Sequence, residues 1–495
     1  MASQKAVVVG AGFSGLSAAC FLAKAGFEVT VLEKNSMPGG RARKFEQDGF
    51  TYDMGPSWYW MPDVFDRFFE QFSHKTSDFY QLKRLSPSYR IVWGQDEATD
   101  VPASFDEMVE MFEAYETGAG QQLKSFLKEA EFKYKTGVGR LVYKKSASPL
   151  EFLDFDLLKS MFRLLIFHSF HTNIRKFFKN PKLLQLLEFP VLFLGGTPQT
   201  TPALYSLMNY GDIMLGTWYP EGGFYKVAEA MYKLATSLGV KFEFNTPVDN
   251  VIITARKITS VTSGTAMFDA DVVINAADYH HFEQHILPSA FRTYSANYWD
   301  KRVLSPSALI FYLGFNTRLP GILHHTLLFD EDFTQHAANI YDNPQWPQKP
   351  SIYISATSKT DDSVAPEGYE NLMVLIPVAP GLEDTPEMRD KLYNYIIQKL
   401  TQLTGINVIT HLVYKRSYAH NDFISDYNAY KGNAYGLANT LMQTAFLKPK
   451  MQSRKLSNLY NAGQLTVPGP GVPPAIISGE VAANEIIKQF KSKKT

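Results

Sequence analysis

The stretch Ala6–Asn35, AVVVGAGFSGLSAACFLAKAGFEVTVLEKN, decides the fold. It reads as strand, glycine turn, helix and strand. Ala6–Val9 is a short apolar strand, and Gly10, Gly12 and Gly15 follow it as G-x-G-x-x-G. Leu16, Ala19, Cys20, Leu22 and Ala23 then recur at helical spacing as far as Gly26, and Glu28–Leu32 is a second strand ended by Glu33. Each glycine has its own reason: Gly10 makes the tight turn, Gly12 leaves room for a pyrophosphate, and Gly15 lets the helix pack close to the strand. The helix start, with Phe13 and Ser14 in its first turn, offers free N–H groups and the positive end of its dipole to phosphates. Glu33, eighteen residues after Gly15, is placed to accept hydrogen bonds from ribose hydroxyls, which argues against a 2′-phosphate and hence against NADP. Lys34, next to it, is counted with the site.

The rest of the composition narrows the class. At 495 residues the chain is long enough for about two to four domain-sized units. Lys+Arg 49 balances Asp+Glu 49, so no strong field points to a nucleic-acid partner. The single cysteine, Cys20, excludes an intrachain disulfide and fits a reducing compartment. MASQK leads straight into the first strand and is not read as a signal peptide. No apolar run reaches the roughly 18 residues of a membrane span. The aromatic content, 14% with 36 Phe and 27 Tyr, favours large apolar cavities or membrane contact. No second G-x-G-x-x-G is followed by helix and strand, because Gly118/Gly120 and Gly222/Gly223 lack those surroundings. That disfavours a disulfide-reductase type or a monooxygenase with an integral NADPH domain.

Two further blocks are more specific. Gly39-Gly40-Arg41-Ala42 would carry backbone over a dinucleotide and bring a cation to its phosphates; alone, it could be an ordinary hairpin turn. Together with GFTYDMGPS (Gly49–Ser57, including Gly55, Pro56 and Ser57) it resembles the flavin-binding signature of the amine-oxidase-like flavoproteins. Within them it most resembles the bacterial phytoene-desaturase type of carotenoid desaturases. Near the C-terminus, LYNAGQLTVPGPGVPPAIISGEVAANEI (Leu459–Ile486) resembles the segment that closes over the isoalloxazine ring in that superfamily. The resemblance implies a returning strand at Leu459–Ala462, a close approach to the cofactor at Gly463, and a stiff turn through Gly471 and Val472 beside the flavin. A helix would begin near Pro473-Pro474 with its positive end toward the ring. Gln464 stands where many amine-oxidase-like members carry an acid, a departure that favours the carotenoid branch. Val248 falls where the superfamily packs backbone against adenine, and ADVVINAADYH, reaching Asp278-Tyr279, matches the next strand and turn.

The resemblance implies an α/β fold: a Rossmann-like FAD-binding domain of the amine-oxidase/phytoene-desaturase type with an inserted α+β substrate domain. Residues 1–90, 215–290 and 441–495 would form the first, and 91–214 with 291–440 the second, membrane-associating one. It further implies FAD as cofactor, a long apolar polyene as substrate, and oxygen or a quinone as external electron acceptor. The leading expectation is phytoene desaturation toward neurosporene or lycopene. Desaturation of a later, hydroxylated or monocyclic carotenoid, a carotenoid isomerase or saturase, and a non-catalytic isoprenoid-binding escort-like protein remain open. The segment 157–187, LLKSMFRLLIFHSFHTNIRKFFKNPKLLQLL, holds no acid but carries Lys159, Arg163, Arg175, Lys176, Lys179 and Lys182. Apolar residues at helical spacing (Leu157, Met161, Leu164, Leu165) make it a candidate amphipathic helix for an anionic lipid surface. The expected location is cytoplasmic, peripheral to the membrane. Glu188, an acid among apolar neighbours, is either a proton acceptor or half of a helix-end salt bridge, and no catalytic residue is assigned. His281/His285 and His168/His171 have ligand-like spacing but no nearby Cys or paired carboxylates, so no metal is expected.

Overall fold

The computed structural model describes residues 3–94, 97–146, 148, 151, 164, 168–193, 195–329, 333–440 and 442–492. Its first organising element is a five-stranded sheet in the order Leu459–Asn461, Val272–Asn275, Lys5–Val9, Glu28–Leu32, Lys241–Glu243. Every neighbouring pair is parallel. Parallel strands are covered on both faces and therefore read as continuous apolar runs. Ala6–Val9 and Val272–Asn275 are buried throughout. The helix Phe13–Lys24 leaves the first strand and is buried along most of its length between the sheet, the helix Tyr225–Ser237 and the C-terminal helix Val472–Ser492. The chain's last strand adds to the sheet beside Val272–Asn275, with Asn275 opposite Asn461. Both ends of the polypeptide thus meet at one sheet.

A second, seven-stranded mixed sheet runs Leu412–Tyr418, Ser307–Phe315, Glu370–Val378, Ile352–Ser355, His325–Leu328, Tyr89–Trp93, Glu97–Val101. Its pairs are antiparallel except His325–Leu328 with Tyr89–Trp93. The strand Tyr89–Trp93 straddles position 90, where the sequence suggested a boundary. Side chains alternate across a strand with period two. Leu309, Phe311 and Leu313 accordingly enter the core shared with the helix Pro386–Thr404, while Ala308, Ile310 and Tyr312 turn toward the first sheet. That alternation makes the inner face of this sheet one wall of a cleft.

The segment expected as one amphipathic helix differs from that reading. Leu157, Lys159, Met161, Arg163 and Leu165 lie outside the described residues. The described remainder holds two separate helices, Phe170–Ile174 and Pro181–Phe193. Pro181 has no N–H to continue a helix from before it, and it disfavours helical backbone at Asn180. Arg175 pairs with Glu188 at 2.5 Å, and Lys182 pairs with Glu97. No described helix is long and apolar enough to cross a membrane.

Candidate functional site

The site begins at the first glycine turn. Gly10 has φ +96°, a conformation that L side chains rarely adopt, and its N–H donates to the Leu32 carbonyl at 2.8 Å, tying the turn to the second strand. A methyl group on Gly15 would overlap the Gly10 carbonyl oxygen, so the helix crosses the turn with no room to spare. Gly12 is the opposite case: nothing lies within 4 Å of where its Cβ would be. It caps a helix that has no side-chain cap, which leaves first-turn N–H groups unclaimed. Glu33 is buried at the end of the second strand. Its Oε2 accepts from the Ala11 N–H at 2.7 Å, and its Oε1 accepts from the Asn35 N–H and Nδ2, both at 2.9 Å. Three donors hold the carboxylate in place at the mouth of the turn.

The Gly39-Gly40-Arg41 loop passes over this turn. Gly39 donates to the Ala11 carbonyl at 2.8 Å, and a Cβ on Gly40 would stand 3.3 Å from the Gly12 Cα. Two backbones without side chains therefore face each other. Arg41 donates through Nη2 to the Asn433 carbonyl at 3.1 Å, while its buried Nε has no hydrogen-bond partner. Burial lowers its pKa, opposed by the Asp278 carboxylate. Gly55 lies under the same loop, where a Cβ would stand 2.8 Å from the Arg41 carbonyl oxygen.

The C-terminal turn arrives from the other side. Ser478 Oγ accepts from the Gly463 N–H at 2.9 Å and donates to the Val467 carbonyl at 2.7 Å, fastening turn, strand end and helix together. Ser17 Oγ donates to the Ile476 carbonyl at 2.7 Å, locking the C-terminal helix to the first one.

These parts enclose a cavity of about 440 Å³ between the two sheets. Of the residues expected from the sequence, all but Gly15 and Gly463 line it, including Val248, Gln464, Gly471, Val472 and Pro473. The two exceptions are packing glycines: Gly15 lies against the Gly10 turn, and a Cβ on Gly463 would stand 3.2 Å from Ser14 Oγ. The acids of the lining, Glu33, Asp278 and Asp426, sit with the glycine loops, and the cavity continues from them into an arm walled by Trp58, Trp60, Met61, Leu207 and Ile310. Glu188 is not part of the lining. Its ion pair with Arg175, and His171 Nδ1 at 3.3 Å, make it the helix-end salt bridge rather than a proton acceptor. His281 does line the cavity, where burial, then His285 and Lys34, lower its pKa to about 4. No cluster of three metal-ligating side chains occurs among the described residues.

Asp426, Tyr427 and Asn428, which sequence reasoning missed, also line the cavity. They close the glycine-loop end of the cavity from the helix His420–Tyr427, which follows the second sheet's strand Leu412–Tyr418, and its C-cap Asn428. Arg43 Nη2 pairs with Asp426 Oδ2 at 2.6 Å, and Lys34 Nζ donates to the Ser425 carbonyl at 2.7 Å. No local motif marks this segment, because its role comes from a crossing of two distant parts of the chain. The sequence reading also missed Tyr353, which faces the cavity from the middle of the second sheet.

A family model described as flavin containing amine oxidoreductase matches residues 13–487. The chain belongs to that family. The chain is 41% identical over 494 residues to a carotenoid 3,4-desaturase of Haloarcula japonica, covering 99% of each chain. It is 30% identical over 492 residues to a zeta-carotene-forming phytoene desaturase of Myxococcus xanthus, covering 98% of this chain and 94% of that one. Among solved structures, an oxidoreductase from Methanosarcina mazei superposes with a TM-score of 0.61 over 98% of this chain and 100% of that one. At 17% identity that likeness shows the fold alone. The family member described here is thus an FAD-dependent oxidoreductase of the carotenoid-desaturase type. Its own residues fit FAD: open space at the Gly12 Cβ position, an uncapped helix start, and an unpartnered buried Arg41 Nε.

Proposed function

We propose that this flavoprotein introduces carbon–carbon double bonds into a carotenoid. One observation carries the reading: the cavity joins a polar, glycine-lined nucleotide end to an aromatic and aliphatic arm without interruption, and all the carboxylates of its described lining stay at the first end. A substrate with no polar handle needs such an arm, which holds it by apolar burial and excludes water. FAD, when bound, supplies the two-electron acceptor that takes a hydride from the substrate. The first-turn N–H groups of the helix at Phe13 and the cation of Arg41 would hold its phosphates. Glu33 would accept from the ribose, and Val248 would lie against adenine. Gln464, Gly471, Val472 and Pro473 would border the ring, facing it with the positive end of the C-terminal helix. Residues 1–90, 215–290 and 441–495 would form the cofactor domain, and 91–214 with 291–440 the substrate domain.

Phytoene, carried toward neurosporene or lycopene, is the first substrate to test. A second reading, desaturation of a later carotenoid that is already conjugated, is favoured by the higher identity with the Haloarcula 3,4-desaturase, 41% against 30% for the phytoene desaturase. The reaction would take place at the cytoplasmic surface of a membrane, with oxygen or a quinone as final acceptor. Anaerobic incubation of FAD-loaded protein with each carotenoid in liposomes tests the proposal. Bleaching of the flavin bands together with red-shifted polyene absorption is expected for the true substrate. Unbleached flavin with every carotenoid would rule the reading out.

A further inference from the structure

Desaturation removes a hydride and a proton from neighbouring carbons, and the described lining of the cavity's arm holds no carboxylate to take the proton. Its described lining does contain hydroxyl groups, those of Ser57, Tyr205, Tyr353 and Tyr435. One of them is backed by an imidazole. The Tyr353 hydroxyl lies 2.8 Å from His325 Nδ1 and 2.7 Å from Ser57 Oγ. His325 is fully buried and lies flat on Trp58, with ring centres 4.1 Å apart and planes inclined by 16°. Trp58 itself lines the cavity.

His325 Nε2 is buried without a hydrogen-bond partner. A buried polar atom left without a partner is destabilising and calls for an explanation. Burial, aided by His324, holds the ring well below its ordinary pKa, so it is neutral and one ring nitrogen keeps a free lone pair. With the proton on Nε2, that lone pair is on Nδ1, facing the Tyr353 hydroxyl. The hydroxyl can then donate to His325 while it accepts from the cavity side.

We propose that Tyr353, backed by His325, accepts the proton that the substrate loses. This rests on the desaturase reading given above. The C–H bond next to the carbon that has given up its hydride breaks, and its electron pair becomes the second bond of the new alkene. The proton goes to the Tyr353 oxygen as the Tyr353 proton passes to His325 Nδ1. Tyr353 ends as a neutral phenol and His325 as imidazolium, and the two electrons of the oxidation have left with the hydride to FAD. A strong base is unnecessary, because a C–H bond beside an electron-deficient carbon is acidic. Reversal of the relay, through Tyr353 to Ser57, returns the proton to the cavity. Tyr353 is the catalytic residue of this step, and His325 acts through it.

Anaerobic single-turnover measurements on FAD-loaded wild type, Tyr353→Phe and His325→Asn, with the carotenoid that bleaches the wild type, test the assignment. Asn keeps an acceptor near the Nδ1 position but is not a base. Both variants should form product about a hundredfold more slowly. The flavin spectrum should be unchanged, and FAD content and substrate affinity should remain within about twofold of wild type. Turnover near the wild-type rate in either variant would overturn the inference, as would a loss confined to substrate affinity. If His325→Asn does not fold, Tyr353→Phe alone decides. If wild type bleaches with no carotenoid, the desaturase reading fails and this inference fails with it, an outcome distinct from a competent wild type with competent variants.

Discussion

Gly479 of the C-terminal helix rests on the Ser14 carbonyl so closely that a methyl group there would collide with that oxygen and stand 2.8 Å from the Ser17 Cβ. The contact joins segments 465 residues apart in sequence and sets how the two helix starts converge on one cavity. Gly479→Ala should therefore force the helices apart. Overpacking of this kind costs about 1–3 kcal/mol. Urea unfolding of the variant should show that loss, and its FAD affinity should fall at the same time. A variant with wild-type stability and full cofactor content would show that the contact is slack.

Gly12 and Gly15 belong to one motif but should respond differently. Gly12 has φ −73° and open space at its Cβ position, so Gly12→Ala should leave the cofactor-free protein within about 0.5 kcal/mol of wild type. The methyl group would instead take up open space at the cavity lining, and FAD affinity should drop at least about tenfold. Gly15→Ala would drive its methyl into the Gly10 carbonyl and should destabilise the fold by about 1–3 kcal/mol with or without FAD. Circular dichroism melts paired with FAD titration separate the two effects.

This contrast also shows what the sequence can reveal. That the turn at Gly10–Gly15, Glu33, the Gly39–Arg41 loop and the final turn belong around one cavity was legible because each stands in a recognisable local pattern. The sequence assigned Gly463 to the cofactor, yet its tight neighbour is Ser14 Oγ, across 449 residues of chain. Spacing could not show that the returning strand ends against the first helix. Asp426 and Tyr353 were invisible for the same reason: a lone acid and a strand tyrosine acquire meaning only when two sheets face each other. In 157–187 the residues that carried the helical spacing lie largely outside the described residues, and in the described remainder Pro181 starts a separate helix.

Lys448 should make stability depend on pH. Its Nζ is buried with no hydrogen-bond partner, and burial lowers its pKa to about 7, against about 10.4 in an unfolded chain. Between those values the unfolded chain binds a proton that the folded protein does not. Stability from this group therefore rises with pH across that window, and the full penalty is felt below it. Lys448→Met should be more stable than wild type at pH 7, with the difference shrinking toward pH 10. Urea midpoints of the two proteins across that range provide the check, and a difference independent of pH would contradict it.

The last prediction concerns the strap over the nucleotide end. Arg43 Nη2 and Asp426 Oδ2 are 2.6 Å apart, and the same oxygen accepts from the Tyr418 hydroxyl at 2.8 Å. The Asn35 Nδ2 adds a hydrogen bond to the Asp426 carbonyl at 3.2 Å, and the Arg43 guanidinium lies over the Tyr427 ring. Asp426 lines the cavity, so parting of this segment from residues 34–43 would open that end of it. A hydrogen bond to a charged group contributes about 1.5–3 kcal/mol, and about 1.4 kcal/mol corresponds to tenfold in rate or affinity. Arg43→Ala should thus release FAD at least about tenfold faster, and Arg43→Lys, which keeps the charge but not the planar fork, should fall between. Flavin fluorescence recovered after dilution measures the rate directly. Equal release from all three proteins would mean that FAD leaves by another route.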